Sequence, residues 1–230
     1  MLINGLVWMG EEHFMKTQIE EKLEQGFSCI KLKIGAIDFE KELGLLRFIR
    51  QNFDAKTIEI RVDANGAFSS NEALDKLYQL NEFELHSIEQ PIKANQIQEM
   101  KRLCQQTPFP IALDEELIGV FGLENKRTLL EEIQPQYIIL KPSLVGGFKG
   151  TLEWISIAES LKIGWWITSA LESNIGLNAI TQFTYTLENP MPQGLGTGGL
   201  YTNNFDCPLE IENGNIGYYP NKKWETSSIL

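Results

Sequence analysis

Short runs of apolar residues along this chain alternate with longer segments in which apolar residues recur every three or four positions. Runs of the first kind predict buried strands, and segments of the second kind predict amphipathic helices. The predicted strands are 2–8, 29–35, 58–63, 85–89, 111–114, 137–141, 165–168 and 193–195. The predicted helices are 11–25, 39–53, 71–80, 97–104, 128–133, 150–161 and 175–187, with Ser70 as the N-cap of the third.

The regular alternation of these elements predicts an α/β fold. Eight strands and seven helices, at roughly 25 residues per unit, favour a parallel (β/α)7β barrel of the TIM type over an open sheet. A doubly wound open sheet is disfavoured because no glycine-rich dinucleotide fingerprint follows the first strand. Residues 1–200 are predicted to form the barrel. Residues 201–230 are predicted to form a tail with a hairpin, since Asn213-Gly214 is a strong turn signal.

Composition and charge narrow the class of protein. The chain has 230 residues, of which 43% are hydrophobic and 22% charged, as is typical of a globular protein. Its formal net charge of -11, with no tract rich in Lys or Arg, disfavours a nucleic-acid partner. Three scattered cysteines without a CxxC pair indicate a reducing, cytoplasmic environment. The apolar run 2–9 is too short to span a bilayer and lacks a basic flank, so neither a signal peptide nor a membrane segment is expected.

The second predicted strand carries two lysines among apolar residues. Because side chains alternate along a strand, Lys31 and Lys33 point to one face, and Ile30 and Leu32 point to the other. Either the lysine face looks into water at the end of a strand, or it looks into a site that uses two ammonium groups. The strand by itself favours the first reading.

Four further charged residues end later strands. Asp63, Glu89, Asp114 and Lys141 follow one another at intervals of 26, 25 and 27 residues, which is one strand–helix unit each. In a parallel barrel the carboxyl ends of the strands meet at one face, where the active site of such enzymes lies. Each residue alone would more often be a surface or capping charge. Together they indicate a site.

The chemistry of this set indicates a divalent cation. Asp63, Glu89 and Asp114 would repel one another without a cation between them, and ligands that are all oxygen select Mg²⁺ first and Mn²⁺ second. Lys31 and Lys33 would lie on one side of that ion, and Lys141 on the other. Of the pair, Lys33 is nearer the carboxyl end of its strand, so we expect it to transfer the proton and Lys31 to supply charge. The expected substrate is a small carboxylate, held by the metal and deprotonated at the adjacent carbon.

The same residues carry a resemblance to a known family. The series Lys31-x-Lys33, Asp63, Glu89-Gln90-Pro91, Leu113-Asp114-Glu115 and Lys141-Pro142 resembles the enolase superfamily, which uses a lysine or histidine base with Mg²⁺, in its branch of muconate-lactonising enzymes. Within that branch, segments 4–10, 61–68, 169–176 and 194–198 are most similar to the o-succinylbenzoate synthase family.

The resemblance implies a Mg²⁺-dependent syn-dehydration of 2-succinyl-6-hydroxy-2,4-cyclohexadiene-1-carboxylate to o-succinylbenzoate, in menaquinone synthesis. It implies Lys33 as the base, Lys141 on the other face as the group that stabilises the enediolate, and the region from Ser169 to Ser173 as a holder of the succinyl arm. Arg61 shares the inward face with Asp63 and is a candidate to organise the site or to bind substrate.

Members of the superfamily carry an N-terminal capping domain over the barrel mouth, and this chain begins inside the first strand. The tail hairpin is therefore expected to pack on a cap that lies outside this sequence. Metal ligation is expected to survive in its absence, with weak or no turnover because no lid excludes water. The sequence leaves the oligomeric state open.

Two other interpretations stay open. One is a different enzyme of the same branch, either an N-acylamino-acid racemase or a dipeptide epimerase, with the two faces of the substrate served by different lysines. Dipeptide epimerases usually have Asp-x-Asp on strand eight, where this chain has Gly194-Leu195-Gly196-Thr197. The other is an inactive, truncated barrel with structural value only.

Overall fold

A computed structural model describes residues 1–225 and 227 of the chain. Seven parallel strands form one sheet in sequence order, each paired with the next. The strands are β1 (Gly5–Val7), β2 (Cys29–Lys33), β3 (Glu59–Asp63), β4 (Ser87–Glu89), β5 (Ile111–Leu113), β6 (Tyr137–Leu140) and β7 (Gly164–Ile167). The helices between and after them are α1 (Glu12–Glu24), α2 (Phe39–Asn52), α3 (Ala73–Asn81), α4 (Ile97–Gln106), α5 (Leu123–Ile133), α6 (Gly147–Ser160) and α7 (Asn174–Tyr185). This arrangement confirms the predicted parallel α/β barrel.

The apolar pattern of each unit explains this packing. On β2, Ile30 and Leu32 are fully buried in the main hydrophobic cluster, which also holds Leu46 and Ile49 from one face of α2. Asp38 begins that helix by accepting a hydrogen bond from the backbone N–H of Glu40 at 3.1 Å. Each such aliphatic side chain stabilises the fold by about 1.5 to 3 kcal/mol when fully buried. The core therefore lies between the sheet and the helices, and the opposite face of the strands is free to carry polar residues.

The strand register aligns the polar residues in rows across the sheet. Lys33 pairs with Asp63, and Asp63 pairs with Glu89, at the carboxyl ends of β2, β3 and β4. One layer lower, Lys31 pairs with Arg61. The prediction that both lysines of β2 share the inner face is thus confirmed, and the inner face of the barrel is polar at its carboxyl end.

The predicted eighth strand is present only as two single-residue β-bridges. Ile3 forms a parallel bridge with Gln193, and Thr168 forms one with Gly194, so the segment 193–194 joins β1 to the end of β7 without forming a strand of its own. Thr168 also presses closely on Gly194, since a Cβ at that glycine would lie 2.1 Å from Thr168 Oγ1. The barrel closes where a glycine lets two backbones approach each other.

Some predicted helix boundaries are wrong. The third helix begins at Ala73 with Glu72 as its N-cap, and Ser70 does not cap it. Glu72 instead accepts a hydrogen bond from the backbone N–H of Ser69 at 3.0 Å. The fifth helix begins at Leu123, five residues before the predicted start at Thr128. Lys126 in its first turn is 1% exposed, and its Nζ donates to the Gly150 carbonyl at 3.0 Å and to Glu153 Oε2 at 2.9 Å, so this turn packs on α6.

The tail forms the predicted hairpin, from β8 (Leu209–Glu212) and β9 (Asn215–Tyr218) around Asn213-Gly214. Both turn residues have positive φ, 49° and 69°, as the Asn-Gly signal predicts. The hairpin contacts the start of the barrel, where the Ile3 N–H donates to the Gly214 carbonyl at 2.9 Å. The division into a barrel of residues 1–200 and a tail of 201–230 stays a prediction. Within residues 1–225 and 227, no helix combines the length and apolar character needed to cross a bilayer.

Candidate active site

A cavity of about 210 Å³ opens at the carboxyl ends of the strands. Its wall includes Lys31 and Lys33 from β2, Asp63 from β3 and Lys141 after β6. The three predicted carboxylates are buried: Asp63, Glu89 and Asp114 are 0%, 2% and 1% exposed. Every one of the six residues predicted from strand ends is therefore at or beside one cavity.

Lysines and carboxylates make direct contacts in this site. Lys31 Nζ lies 3.0 Å from Asp63 Oδ2 and donates a hydrogen bond to Glu89. Lys33 Nζ donates to the same Asp63 oxygen at 2.9 Å. Across the site, Lys141 donates to Asp114. Two lysines therefore lie on the β2 side of the carboxylates and one on the β6 side, as the sequence predicts.

These contacts set the charges of the inner pair. Burial alone would raise the pKa of Asp63, but the ammonium groups of Lys31 and Lys33 outweigh it and hold that pKa below its usual value. Burial alone would lower the pKa of Lys31, but Asp63 and Glu89 outweigh it and raise that pKa. Asp63 is therefore an anion and Lys31 a cation.

For Glu89 and Lys141, burial and neighbouring charges have opposite outcomes. Burial and the neighbouring Asp63 carboxylate raise the pKa of Glu89 well above its usual value, despite the contact with Lys31. Burial opposes the charge of Lys141, but Asp114 and Glu89 outweigh it and raise the pKa of this lysine. A further cation beside Glu89 would therefore favour its anionic form.

The residues present suit a hard divalent cation. No group of three or more His, Cys, Asp or Glu side chains within the described part of the chain is arranged as a metal site, because lysine ammonium groups lie against the carboxylates. However, Glu89 Oε1 is buried without a hydrogen-bond partner. An orphaned carboxylate oxygen at 2% exposure, beside two more buried carboxylates, is a donor set that fits Mg²⁺.

Gln90 orients the end of β5, where Asp114 lies. Its side-chain oxygen accepts hydrogen bonds from the backbone N–H groups of Asp114 and Glu116, at 3.2 and 3.3 Å. Its amide nitrogen donates to Glu116 Oε2 at 3.2 Å. Glu116 is thus buried and hydrogen-bonded. These contacts connect the ends of β4 and β5.

The three residues predicted to bind substrate have different positions. Ser169 lines the cavity, and its hydroxyl hydrogen-bonds the Thr197 hydroxyl at 2.6 Å. Ser173 is exposed at the start of α7 and is absent from the cavity wall. Arg61 is buried one layer lower, where its guanidinium donates to the Pro192 carbonyl at 2.9 Å and lies 4.2 Å from the Trp166 ring centroid. Their roles stay predictions, and Arg61 is placed to organise the barrel interior.

Several residues of the site were missed from the sequence. Trp8 and Thr168 line the cavity at the carboxyl ends of β1 and β7, so the strand-end rule applied to uncharged residues would have found them. Asn65 accepts a hydrogen bond from Lys33 Nζ at 2.6 Å. It lies in the loop after β3, and nothing in a linear pattern marks such a contact.

The chain matches proteins of known family and structure. The family model described as "Enolase C-terminal domain-like" matches residues 15–220. The chain is 57% identical to an o-succinylbenzoate synthase of Desulfotalea psychrophila, over 94% of this chain and 58% of that protein. It is 33% identical to an N-succinylamino acid racemase of Thermus thermophilus, over 69% of this chain and 40% of the relative. A crystal structure of MenC from Desulfotalea psychrophila, 55% identical, superposes with a TM-score of 0.88 over 94% of this chain and 60% of the other. The chain thus spans less than two thirds of the length of these relatives.

Proposed function

Because the chain belongs to the enolase C-terminal domain-like family, we propose that it is an o-succinylbenzoate synthase. The reaction is the syn-dehydration of 2-succinyl-6-hydroxy-2,4-cyclohexadiene-1-carboxylate. The observation that carries the proposal is the convergence of Lys33 and Lys141 on opposite sides of three buried carboxylates, in a chain so similar to a synthase.

Lys33 is the proposed base. As the neutral amine it takes the proton from the ring carbon next to the substrate carboxylate, and the electron pair of that C–H bond moves into an enediolate. The resulting ammonium then gives the same proton to the hydroxyl group on the same face. The C–O bond breaks, water leaves, and the ring becomes aromatic. Atoms and charges balance with no further reactant.

The other two lysines supply charge. Lys31 is 5% exposed and its raised pKa keeps it an ammonium, so it suits a supporting charge beside the base rather than the base itself. Lys141 lies across the cavity, where its ammonium offsets the negative charge that develops on the enediolate. A preformed positive group in a buried site costs little reorganisation during the reaction.

Asp63, Glu89 and Asp114 are the residues that would hold Mg²⁺, with Mn²⁺ as the second choice. When bound, the cation supplies a Lewis acid for the substrate carboxylate. Ser169 is proposed to meet the succinyl arm, because it is the residue of its loop that both lines the cavity and is buried. Contacts of Ser173 and Arg61 with substrate would require both side chains to reach beyond their present surroundings.

The proposal is tested by the conversion of the cyclohexadiene carboxylate to o-succinylbenzoate in the presence of Mg²⁺, followed by the aromatic absorbance of the product. Lys33→Ala is expected to lower kcat by about 100-fold or more, as removal of a general base does. Lys56→Ala is the matched control, because Lys56 is exposed in the turn before β3. Full activity in Lys33→Ala would remove the assigned base. Because weak or no turnover is expected without a capping domain, these assays use the chain joined to a capping domain, and no dehydration by that protein would refute the function.

An N-succinylamino acid racemase is the second candidate. It is favoured by the placement of Lys33 and Lys141 on opposite sides of the cavity, where one lysine can remove a proton and the other can return one to the opposite face. Incubation of an N-succinyl-L-amino acid in D₂O with Mg²⁺ decides the matter. Racemisation without any dehydration of the cyclohexadiene carboxylate would replace the first proposal with this one.

A further inference from the structure

Asn65 links the proposed base to a third strand of the barrel. Its side-chain oxygen accepts a hydrogen bond from Lys33 Nζ at 2.6 Å, and its side-chain nitrogen donates one to Glu115 Oε1 at 2.9 Å. The Glu115 carboxylate only accepts, so the amide nitrogen must face Glu115, and the amide oxygen is left to accept from Lys33. A chain of hydrogen bonds therefore runs from the end of β2, through the loop after β3, to the turn after β5.

The backbone around Asn65 is held on two sides. Its own N–H donates to Asp63 Oδ1 at 3.1 Å, and its φ of 44° is left-handed, a conformation that Asn and Gly adopt most readily. The loop also docks on the segment after β4 through three backbone hydrogen bonds of 2.7 to 3.0 Å, Ala64 to Glu89, Gly66 to Gln90 and Phe68 to Pro91. The amide of Asn65 is thus presented from a fixed backbone.

Glu115 completes the arrangement. It lies in the 3-10 turn Glu115–Leu117, immediately after Asp114. Its second oxygen, Oε2, is buried without a partner, so its only hydrogen bond from a side chain in the described part of the chain comes from Asn65. This contact holds the amide in the orientation that turns its oxygen toward Lys33.

We propose that Asn65 is the positioning residue for Lys33 and that Glu115 sets the orientation of the Asn65 amide. This inference rests on the proposed function. A lysine side chain loses rotamer entropy when it is held in one orientation, so an acceptor that fixes it in advance removes that cost from the reaction. Asp63, the other acceptor of Lys33, is also a proposed metal ligand. Asn65 is a neutral acceptor and is not a proposed metal ligand. Asn65 therefore aims the amine at the substrate without itself touching it.

Asn65→Gly is the principal test, because glycine tolerates the left-handed φ while removing the amide. The expected result is a fall in kcat of about 10- to 100-fold, the size expected when a reacting group is misplaced by about 1 Å. KM should change less than twofold. With substrate deuterated at the carbon next to the carboxylate, the primary isotope effect on kcat should rise, because proton transfer becomes more rate-limiting. Asn81→Gly, at an exposed position ending α3, is the matched control.

The role of Glu115 is tested by conservative rescue. Glu115→Ala should reproduce the loss of kcat seen in Asn65→Gly, and Glu115→Gln should recover most of that loss, because a glutamine oxygen can still accept from the Asn65 amide. An unchanged kcat in Asn65→Gly would overturn the inference. A raised KM with unchanged kcat would also overturn it, since that split indicates a substrate contact instead of a positioning role.

A second measurement does not depend on activity. In a ¹⁵N-labelled protein, the side-chain NH₂ signals of Asn65 are assigned by their loss in Asn65→Gly. Lys33→Met and Glu115→Ala should each move them toward the positions of asparagines whose side-chain amides lack a protein hydrogen-bond partner, and signals that neither variant moves would overturn the inference. Absence of dehydratase activity in the protein that carries a capping domain would refute the proposed function alone, and the NH₂ signals would still decide whether Asn65 holds Lys33.

Discussion

Replacing Gly194 with alanine is expected to strain the closure of the barrel between β7 and the segment 193–194. A Cβ at this position would lie 2.1 Å from Thr168 Oγ1, 2.9 Å from Thr168 Cβ and 3.0 Å from Thr168 Cγ2. The hydroxyl can move by rotation of χ1, although a β-branched residue has few rotamers to choose from. The Cβ cannot move without its backbone, so part of the clash must be absorbed by the closing contacts themselves.

The expected cost is that of overpacking in a well-packed interior, about 1.5 to 3 kcal/mol. For a chain of this size, each kcal/mol lowers Tm by about 2 to 4 °C, so the shift should be about 3 to 12 °C. The assay is equilibrium unfolding in urea, with m compared between variants to confirm that the unfolded states are similar. Calorimetry provides Tm independently.

Two further variants identify the cause. Thr168→Ala removes the atoms at 2.1 and 3.0 Å, so the double variant should recover about 1 kcal/mol or more relative to the sum of the single changes. Gly44→Ala is the matched control, because Gly44 lies inside α2 with no heavy atom within 4 Å of the added Cβ. It should stabilise the protein by about 0.5 to 1 kcal/mol. A Gly194→Ala variant as stable as Gly44→Ala, or one that Thr168→Ala does not relieve, would refute the reasoning.

Three other predictions concern single side chains. Burial raises the pKa of Glu42, although hydrogen bonds from loop N–H groups, Gly35 foremost, oppose the rise. The contribution of this group to the free energy of unfolding therefore falls as pH rises above 4.5. Glu42→Gln should flatten the dependence of the urea midpoint on pH in that range, and an unchanged slope would contradict this. Arg61→Met should lower the free energy of unfolding in urea by about 1 to 3 kcal/mol, because the buried Pro192 carbonyl loses its donor. KM should stay unchanged, and a raised KM would instead support substrate binding by Arg61. Asp114→Asn should weaken Mn²⁺ binding, followed by electron paramagnetic resonance, by about tenfold or more, and an equal affinity would exclude Asp114 as a ligand.

The main features of the fold follow from short-range patterns. The alternation along β2 places Lys31 and Lys33 on the inner face, and the nearly constant interval between Asp63, Glu89 and Asp114 places each at the end of its strand. Both patterns depend on geometry that is the same in every strand and every strand–helix unit. This is why the barrel and the meeting of six charged residues at one end of it could be predicted together.

Features set by close approach could not be predicted in this way. The segment 193–195 has the composition of a strand, but its pairing is limited to single bridges where Gly194 meets Thr168. Ser70 is a good N-cap residue, yet α3 begins at Ala73, and the Glu72 carboxylate accepts a hydrogen bond from the Ser69 N–H. In both cases the composition of the segment alone does not predict the contact that forms.

The sequence by itself therefore determined which residues face the inside of the barrel and at which end they lie, because periodicity and unit length are local properties of the chain. Only the tertiary structure decided which of them touch. The contact of Asn65 with Lys33 and Glu115 joins three separate strand ends, and the burial of Arg61 beneath the cavity depends on Pro192 and Trp166 from distant units. Such contacts depend on the curvature of the sheet and the paths of the loops, which arise when all units pack together.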